Sequence, residues 1–416
     1  MAKSSETPVA LYVTRDIERA LGAQPHAGYQ IMANKTAYAE SVKKIYPDFI
    51  HLIETTQKDG ELLDTRELLN HEAVHSFIKN IAVNNISILV FKNTPQIEEI
   101  CKKNNWNLLN PSSMLAEKIE NKMTQVEYLG ALGEKYLPAH SLTIAKDIMW
   151  NKKPLIIQWA HSHTGLGTTL VNSADELKAV QEKFPERLAR VSSYVHGPSF
   201  TLNVVVSEKN IFLGNISYQI TGIPPFTENL FTTIGNDWSL THSLLNEDEI
   251  GVIEAMATDV AGKLQTDGWR GLFGIDVMRD DELNKIFLIE INARQPASTT
   301  YESQLQQKNR ELGVDGQTIF EAHLGALEER RKEKGEERII PINDGSQIIQ
   351  RVTRITQSIS DKQLQALAKL GHQTILYPNI DENTDLLRIQ SMLGIMETHG
   401  RFNKRGKEIV DVMSSQ

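Results

Sequence analysis

Short apolar runs alternate with amphipathic segments in the N-terminal part of the chain. "ISILVF" at residues 86–91 predicts a buried strand, and Thr94 followed by Pro95 predicts the start of a helix. "NLLNP" then returns to a short strand pattern. The order strand, helix, strand is typical of a parallel α/β unit, so we expect a Rossmann-like unit over about residues 1–115.

The middle of the chain changes to a longer helical pattern followed by strands. "SSMLAEKIENKMTQVEYLGALG" predicts one long helix, and "KPLIIQWA" predicts a strand that leads into the polar loop "HSHTGLGTT". Ser173 and Glu176 form a capping-box pattern at the start of the next helix. "ARVSSYVHG" and "SFTLNVVV" predict two strands with a turn at Gly197 and Pro198. We place the second domain at residues 116–327.

A mixed charge run, "EERRKEKGEER", spans residues 328–338 and predicts a solvated helix end and linker. The segments "SQIIQRVTRI", "SDKQLQALAKLG" and "QTILYP" that follow predict a smaller α+β unit. The third predicted domain therefore covers residues 328–416.

Composition narrows the class of protein. The 416 residues are 40% hydrophobic and 23% charged, which is typical of a soluble globular protein. A formal net charge of −9 argues against a general nucleic-acid partner. One cysteine, Cys101, excludes an internal disulfide. No segment has about 18 consecutive apolar residues, and the N-terminus lacks a signal-peptide pattern, so we expect a cytoplasmic enzyme without a membrane partner.

The stretch "KIFLIEINARQPAST" at residues 285–299 places Glu290, Asn292 and Arg294 on alternate positions. Alternate side chains of a strand share one face. If "GLFGIDVM" pairs with this stretch in a hairpin whose loop is at residues 281–285, Asp276 lies opposite Glu290. Oxygen ligands without His or Cys favour magnesium or manganese. The alternative is an amphipathic hairpin facing solvent, but its flanks are too apolar for surface strands.

"GIDVM…IFLIEINAR" resembles the C-terminal metal-binding motif of the ATP-grasp superfamily, especially the branch around biotin carboxylase and carbamoyl-phosphate synthetase. The resemblance covers about residues 85–325. It implies an α/β ATP-grasp fold with the N-terminal Rossmann-like unit, a mobile lid at about residues 140–195 and the small α+β C-terminal unit. It also implies that magnesium on the ATP phosphates is held by three residues and that a fourth stabilises an anionic intermediate. The three are Asp276, Glu290 and Asn292, and the fourth is Arg294.

Other positions can be carried over from the same resemblance. Lys122 corresponds to a lysine that reaches an ATP phosphate, and the hinge backbone at Ser192 and Val195 corresponds to the adenine site. The glycine-rich loop that approaches the phosphates corresponds to Thr164, Gly165, Gly167 and Thr168. Gln158 stands where a phosphate-binding lysine is usual, so it can donate a hydrogen bond but supplies no charge. Asn203 stands where an aspartate is common.

The implied reaction is ATP-dependent carboxylate–amine ligation. A carboxylate would be phosphorylated to an acyl phosphate, and an amine would attack it to form an amide or peptide bond with release of ADP and phosphate. The implied cofactors are ATP and Mg²⁺ or Mn²⁺. The partners would be small carboxylates and amines, amino acids among them, and a homo-oligomer is compatible with the sequence. We expect the Gly/Pro/Thr-rich segment at residues 220–239 to lie near the substrate.

Three alternatives stay open at this point. "HEAVH" at residues 71–75 fits the His-Glu-x-x-His pattern of zinc proteases, but it has no clear third ligand and short motifs arise by chance. A biotin-dependent carboxylase would have a glutamate at the position of Ser298. A non-catalytic nucleotide-binding protein is compatible with the uncharged Gln158, although the four residues of the hairpin motif disfavour it.

Overall fold

The computed structural model describes residues 9–54, 61–80, 86–160, 167–328 and 338–415. The first ten strands are β1 Val9–Thr14, β2 Tyr29–Asn34, β3 Ile50–Ile53, β4 Ile86–Val90, β5 Asn107–Leu108, β6 His140–Ile144, β7 Leu155–Trp159, β8 Thr168–Val171, β9 Leu188–Ser193 and β10 Ser199–Val206. The remaining strands are β11 Ile211–Leu213, β12 Ser217–Thr221, β13 Thr233–Asp237, β14 Gly271–Asp280, β15 Lys285–Asn292, β16 Ser346–Arg351, β17 Gln373–Leu376, β18 Asp385–Ser391, β19 Met396–Thr398 and β20 Arg401–Phe402.

Helices are distributed along the whole described chain. The first seven are α1 Ala37–Ile45, α2 Thr65–Asn70, α3 Glu72–Asn80, α4 Pro95–Lys103, α5 Ser113–Glu120, α6 Lys122–Leu129 and α7 Ala131–Tyr136. The others are α8 Ala174–Lys183, α9 Trp238–Leu244, α10 Glu247–Thr266, α11 Thr299–Glu311, α12 Ile319–Leu327, α13 Asp361–Lys369 and α14 Lys404–Ser414. Two short 3-10 turns lie at Ile17–Ala20 and Ala145–Asp147.

The N-terminal unit is a parallel sheet in the order β3-β2-β1-β4-β5. Its strands are apolar because helices and loops cover both faces, with separate core clusters on the two sides. The Thr94 side chain accepts a hydrogen bond from Ile97 N and so caps α4. The predicted Rossmann-like unit is confirmed.

A second, mostly antiparallel sheet carries the centre of the molecule. Its order is β15-β14-β10-β12-β13-β16-β18-β17, and β11 pairs with the outer part of β10. The apolar face of α10 packs on it, with Ile253, Met256 and Val260 buried. The C-terminal strands continue this sheet, because β16 pairs with β13 and is followed by β18 and β17.

A third sheet, in the order β6-β9-β7-β8, forms the region predicted as the lid. Helix α8 packs on it through Leu177, and Ile157, Trp159 and Ala189 complete a small core of its own. The predicted capping box at α8 is only half present. Ser173 accepts from Glu176 N, but the Glu176 side chain accepts from Asn172 N instead of closing on Ser173.

The long helix predicted from the middle of the chain is wrong, because three helices occupy that stretch. Asn121 has extended backbone and caps α6 through Met123 N, and Gly130 ends α6 at a φ of +52°. The break at Asn121 matters for the site, since it makes Lys122 the first residue of a new helix. The 220–239 segment also differs from a single loop, because β12 and β13 take its ends and leave residues 222–232 between them.

Among the described residues, no helix combines the length and apolar character needed to cross a membrane.

Candidate functional site

The hairpin β14–β15 has the predicted register. Asp276 lies opposite Glu290, and Gly274 lies opposite Asn292. The pairing shifts between Asp276 and Val277, because Val277 pairs with Leu288 and Ile289 is an extra residue in β15. The bulge leaves the alternation beyond it intact, so the polar side chains share one face of the hairpin.

This face borders a cavity of about 450 Å³ between the lid sheet and the central sheet. Nine of the predicted site residues line it, namely Lys122, Gln158, Thr168, Ser192, Val195, Asp276, Glu290, Asn292 and Arg294. A larger groove of about 1340 Å³ lies between the N-terminal unit and helices α11 and α12, and none of the predicted site residues lines it. The smaller cavity is therefore the candidate site.

Predicted residues of the glycine-rich loop are only partly described. Thr164 and Gly165 lie outside the described residues, as does most of the charge run at residues 328–338. Gly167 precedes β8, its carbonyl oxygen accepts from Trp159 N at 3.2 Å, and it is not among the described lining residues.

Asp276 is held by donors from neighbouring strands. Thr201 Oγ1 and Gln219 Nε2 each donate to its Oδ1 at 2.7 Å, and Asn292 Nδ2 donates to its Oδ2 at 2.9 Å. Burial, together with the charge of Glu290, raises the pKa of Asp276 to about 6. Two carboxylates facing the same cavity thus repel each other.

Lys122 and Glu290 form an ion pair on the cavity floor, with Nζ and Oε1 2.7 Å apart. Burial lowers the pKa of Lys122, while the charge of Glu290 opposes this. Burial would raise the pKa of Glu290, but Lys122 holds that pKa below its ordinary value. Lys122 reaches the hairpin because it is the first residue of α6, directly after the cap Asn121.

Arg294 lies just beyond the end of β15 and is anchored by Glu120. Its Nη1 donates to Glu120 Oε1, and Lys92 Nζ pairs with the other oxygen of Glu120 at 2.7 Å. Although burial acts in the opposite direction, Arg294 and Lys92 hold the pKa of Glu120 below its usual value. The guanidinium is therefore fixed at the cavity edge by a charged carboxylate.

The lid wall contains a residue that the sequence reasoning missed. Arg190 on β9 is opposite Gln158 on β7, and its Nε and Nη2 donate to Gln158 Oε1 at 3.0 and 2.6 Å. Gln158 Nε2 lies 3.4 Å from the Thr168 hydroxyl. A charged residue in the otherwise apolar and small-residue run "ARVSSYV" was a signal that could have found Arg190.

The predicted adenine hinge follows Arg190 on the same strand. Ser192 pairs with His140, and Val195 is buried where the chain leaves the lid sheet. Apolar side chains of Leu137, Ile156 and Met278 line the same part of the cavity. The assignment of Ser192 and Val195 to an adenine site stays a prediction.

One end of the cavity, beside Asp276, is lined by a row of side-chain amides that was not predicted. Gln219, Asn236 and Gln347 are opposite one another on β12, β13 and β16. Gln347 Nε2 donates to Asn236 Oδ1 at 3.2 Å and its Oε1 accepts from Arg388 at 2.9 Å. Arg351 lines this end and forms an ion pair with Asp385. These residues come from distant segments, so no local pattern marks them.

Metal binding can be judged from the donor set. Within the described residues, no group of three or more His, Cys, Asp or Glu side chains is placed to hold a metal ion. Asp276 and Glu290 nevertheless face the cavity with the amide of Asn292, and all three offer oxygen. Mg²⁺ commonly takes one or two carboxylates and fills its other positions with phosphate and water. The repulsion between the two carboxylates is what such a cation would relieve, so the residues fit it.

Two of the alternative predictions can be compared with the structure. Helix α3 begins at Glu72, so His71 lies before the helix that carries His75. The spacing of the zinc-protease motif is therefore not on one helix. Ser298, which occupies the place of a carboxylase glutamate, exchanges hydrogen bonds with Asn203 and lines the cavity.

Residues 119–298 match the family model described as an ATP-grasp domain. A curated D-alanine–D-alanine ligase from Pseudomonas putida (strain GB-1) is 31% identical over 180 residues, which are 41% of this chain and 51% of that protein. The chain thus spans about half the length of this curated relative.

Several solved structures share the fold over nearly the whole chain. N5-carboxyaminoimidazole synthetase from Staphylococcus aureus has a TM-score of 0.63 at 11% identity and covers 98% of both chains. Biotin carboxylase from Campylobacter jejuni has a TM-score of 0.60 at 14% identity, with 94% of this chain and 89% of that chain covered. L-amino acid ligase from Bacillus licheniformis has a TM-score of 0.59 at 13% identity and 94% coverage of both chains.

The predicted ATP-grasp fold is confirmed by these matches. The parallel N-terminal sheet, the lid sheet and the central sheet are the elements that the resemblance implied. Residues 119–298 of the chain therefore match the ATP-grasp domain family, and the chain as a whole has the fold of the ATP-grasp structures named above.

Proposed function

We propose that the protein is an ATP-dependent ligase that joins a small carboxylate to an amine and releases ADP and phosphate. The observation that carries this proposal is the convergence of a buried lysine, an acid–acid–amide set and an anchored arginine on one cavity. These residues are Lys122, Asp276, Glu290, Asn292 and Arg294. The ATP-grasp domain match and the similarity to D-alanine–D-alanine ligase support the same reading.

The cavity suggests how ATP would be oriented. Apolar lining residues such as Ile156 and Val195 would contact the adenine ring, and the polar hairpin face would take the phosphates. Lys122 would supply positive charge to this face. Its Nζ contacts the carboxylate of Glu290, and that carboxylate would bind the metal ion when MgATP is present. Magnesium held by the hairpin residues would neutralise phosphate charge in the bound nucleotide.

The reaction follows from the charges. A carboxylate oxygen of the substrate attacks the γ-phosphorus, the bond to the β,γ-bridging oxygen breaks, and ADP leaves with that electron pair. The amine nitrogen then attacks the acyl carbon, phosphate departs with the C–O electrons, and the nitrogen loses a proton. Arg294, fixed by Glu120, is placed to stabilise the oxyanion of this second step.

The end of the cavity that is lined by the amide row suits a polar small molecule as the second substrate. The amide row and Arg351 offer hydrogen-bond donors and acceptors, while Leu230 and Phe231 from the 222–232 loop add apolar contact. Side-chain amides that are held in place by their neighbours can donate hydrogen bonds to a polar substrate and accept them from it without supplying net charge. Amino acids are therefore the first substrates to test.

A phosphate-release screen tests the proposal. The protein with MgATP is mixed with amino acids and small carboxylates, alone and in pairs, and products are identified by mass spectrometry. We expect ADP and phosphate only when a carboxylate and an amine are both present, and an amide product lighter than its two substrates by one water.

A matched control uses Arg279, an arginine that pairs with Asp281 away from the cavity. Arg279→Ala should keep full turnover under conditions where Arg294→Ala loses it. Formation of AMP and pyrophosphate would contradict the acyl-phosphate route. A requirement for bicarbonate would move the assignment to the carboxylase alternative, and binding of MgATP without any turnover would favour the non-catalytic one.

A further inference from the structure

Arg190 is deeply buried, and the hydrogen bonds that it donates within the described residues go to neutral groups. It is 4% exposed. Its donors contact Gln158 Oε1, Gln125 Oε1 at 3.0 Å and the Ile289 carbonyl oxygen at 3.2 Å. Within the part of the chain that the structure describes, no carboxylate forms an ion pair with it. Burial lowers its pKa to about 10, which reflects the cost of keeping this charge away from water.

The other arginines of similar burial differ in this respect. Arg351 and Arg388 are 8% and 2% exposed, and both contact the carboxylate of Asp385. A buried cation ordinarily needs a counter-charge, because neutral dipoles repay only part of the desolvation cost. Among the described residues, Arg190 therefore has no carboxylate in direct contact, unlike these two arginines. The charge of Glu290 favours the charged form of Arg190, but Glu290 is already paired with Lys122.

The position of Arg190 indicates where that anion would come from. Arg190 lines the cavity on the lid side, two residues before Ser192 on the same strand. Lys122 and Glu290 lie on the floor across from it, and the charge of Arg190 adds to burial in lowering the pKa of Lys122. All three side chains line the same cavity.

We propose that Arg190, held flat by Gln158, supplies the lid cation for the nucleotide phosphates. This inference rests on the proposed function and extends it to a residue and a pairing of this chain. Gln158 cannot itself provide charge, but its oxygen accepts from both Nε and Nη2 and so fixes the plane of the guanidinium. The cation thus sits one strand away from the position where a lid lysine would stand.

The hydrogen-bond count leaves a donor for the ligand. A guanidinium carries five N–H groups. Four contacts are made, one from Nε, two from Nη2 and one from Nη1, so one N–H of Nη1 has no partner among the described residues. A phosphate oxygen is a suitable acceptor for it, and a charged acceptor also neutralises the cation.

The sharpest test moves the positive charge from position 190 to position 158. Dissociation constants for MgATP are measured by calorimetry for the wild type, Arg190→Leu, Gln158→Lys and the double variant. Arg190→Leu should weaken MgATP binding by about tenfold or more, since a charged hydrogen bond is lost. Gln158→Lys alone should lower Tm, because it buries two cations side by side. The double variant should recover most of the affinity and Tm.

A second measurement separates phosphate binding from a structural role. Arg190 also ties the lid to Gln125 on α6, so its loss could act by loosening the lid. Adenosine, which has no phosphate, should bind equally well to the wild type, Arg190→Leu and the milder Arg190→Lys. Gln125→Ala should retain MgATP affinity within about threefold, because it leaves the charge in place.

Arg187 provides the control within the same lid. It is exposed and stacks on Trp159, so Arg187→Leu should bind MgATP as the wild type does. Equal MgATP affinity of Arg190→Leu and wild type would overturn the inference while leaving the proposed function intact, and so would a parallel loss of adenosine binding. Failure of the wild type to bind MgATP would overturn both.

Discussion

The carboxylates of Asp276 and Glu302 accept hydrogen bonds from side chains on the same face of β10, but their surroundings differ. Thr201 and Asn203, two residues apart, point to one face of that strand. Thr201 donates to Asp276, and Asn203 donates to Glu302 at 2.5 Å. Asp276 borders the cavity, whereas Glu302 is fully buried and is not among the residues that line it.

Burial raises the pKa of both groups, to about 6 for Asp276 and about 7 for Glu302. A raised pKa therefore does not by itself identify the functional carboxylate. Glu302 is enclosed by donors from Asn203, Asn215 and Gln306, and its role is to complete a buried polar network. Asp276 differs because a second carboxylate and a cavity lie beside it. Access to a ligand, rather than the pKa, separates the site from the interior.

The comparison predicts that changes on the cavity side affect turnover, and the largest effect is expected at Arg294. Arg294→Ala should reduce turnover by about 10²-fold or more, as the loss of an oxyanion contact typically does, with MgATP affinity little changed. Arg294→Lys should recover little, since a point charge does not replace the planar guanidinium. Product formation and calorimetry check both statements. A fully active Arg294→Ala variant would make the hairpin face structural, like the Glu302 network.

The second prediction replaces a carboxylate by an amide at two positions, Glu290 at the cavity and Glu302 in the interior. Glu290→Gln keeps the shape of the side chain but removes a charge facing the phosphate site, so magnesium-dependent ATP binding should fall by about tenfold. Glu302→Gln makes the same change in the interior and should leave the MgATP dissociation constant unchanged. Titration of each variant with ATP, with and without magnesium, measures the difference. Equal losses in the two variants would mean that the two carboxylates are not functionally distinct.

The third prediction concerns how the free energy of unfolding depends on pH through the buried carboxylate of Glu302. Because the pKa of folded Glu302 is raised from 4.5 to about 7, the folded state keeps a proton that the unfolded state releases between these values. Its contribution to the free energy of unfolding should therefore fall as pH rises from about 4.5 to about 7, with a slope of up to about 1.4 kcal/mol per pH unit.

Glu302→Gln removes this titration and supplies the control. The difference in unfolding free energy between wild type and variant, from urea denaturation at several pH values, should change over that range and be constant above it. A difference that does not vary with pH would show that Glu302 is ionised in the folded protein.

The hairpin site was predictable from sequence because its geometry is local. Asp276 and Glu290 are joined by a short loop, so alternation and hairpin pairing place them opposite each other. The Rossmann-like unit was predictable for a similar reason, since apolar strands and capped helices follow one another along the chain.

The hydrogen-bond partners of Arg190 and the assembly of the amide row were not predictable, because these contacts are distant in sequence. Arg190 reaches partners 32, 65 and 99 residues away. Likewise, the pairing of β13 with β16 brings the C-terminal strands into the central sheet across more than a hundred residues, and nothing in either strand specifies the other. The division into three domains made from sequence stays a prediction.

The smallest effect is expected for changes in β10, whose residues Thr201 and Asn203 donate hydrogen bonds to the two carboxylates. Thr201→Val removes one donor to Asp276 but leaves Gln219 and Asn292 in place. MgATP affinity should fall by about threefold to tenfold, corresponding to one hydrogen bond, and Tm should change little. Asn203→Leu, two residues along the strand, removes a donor to Glu302 and should do the reverse, lowering Tm with no change in MgATP affinity. The pair is measured by calorimetry and thermal unfolding. If Thr201→Val lowered Tm as strongly as Asn203→Leu while binding MgATP normally, Asp276 would belong to the structural interior, and the magnesium site would have to be sought elsewhere.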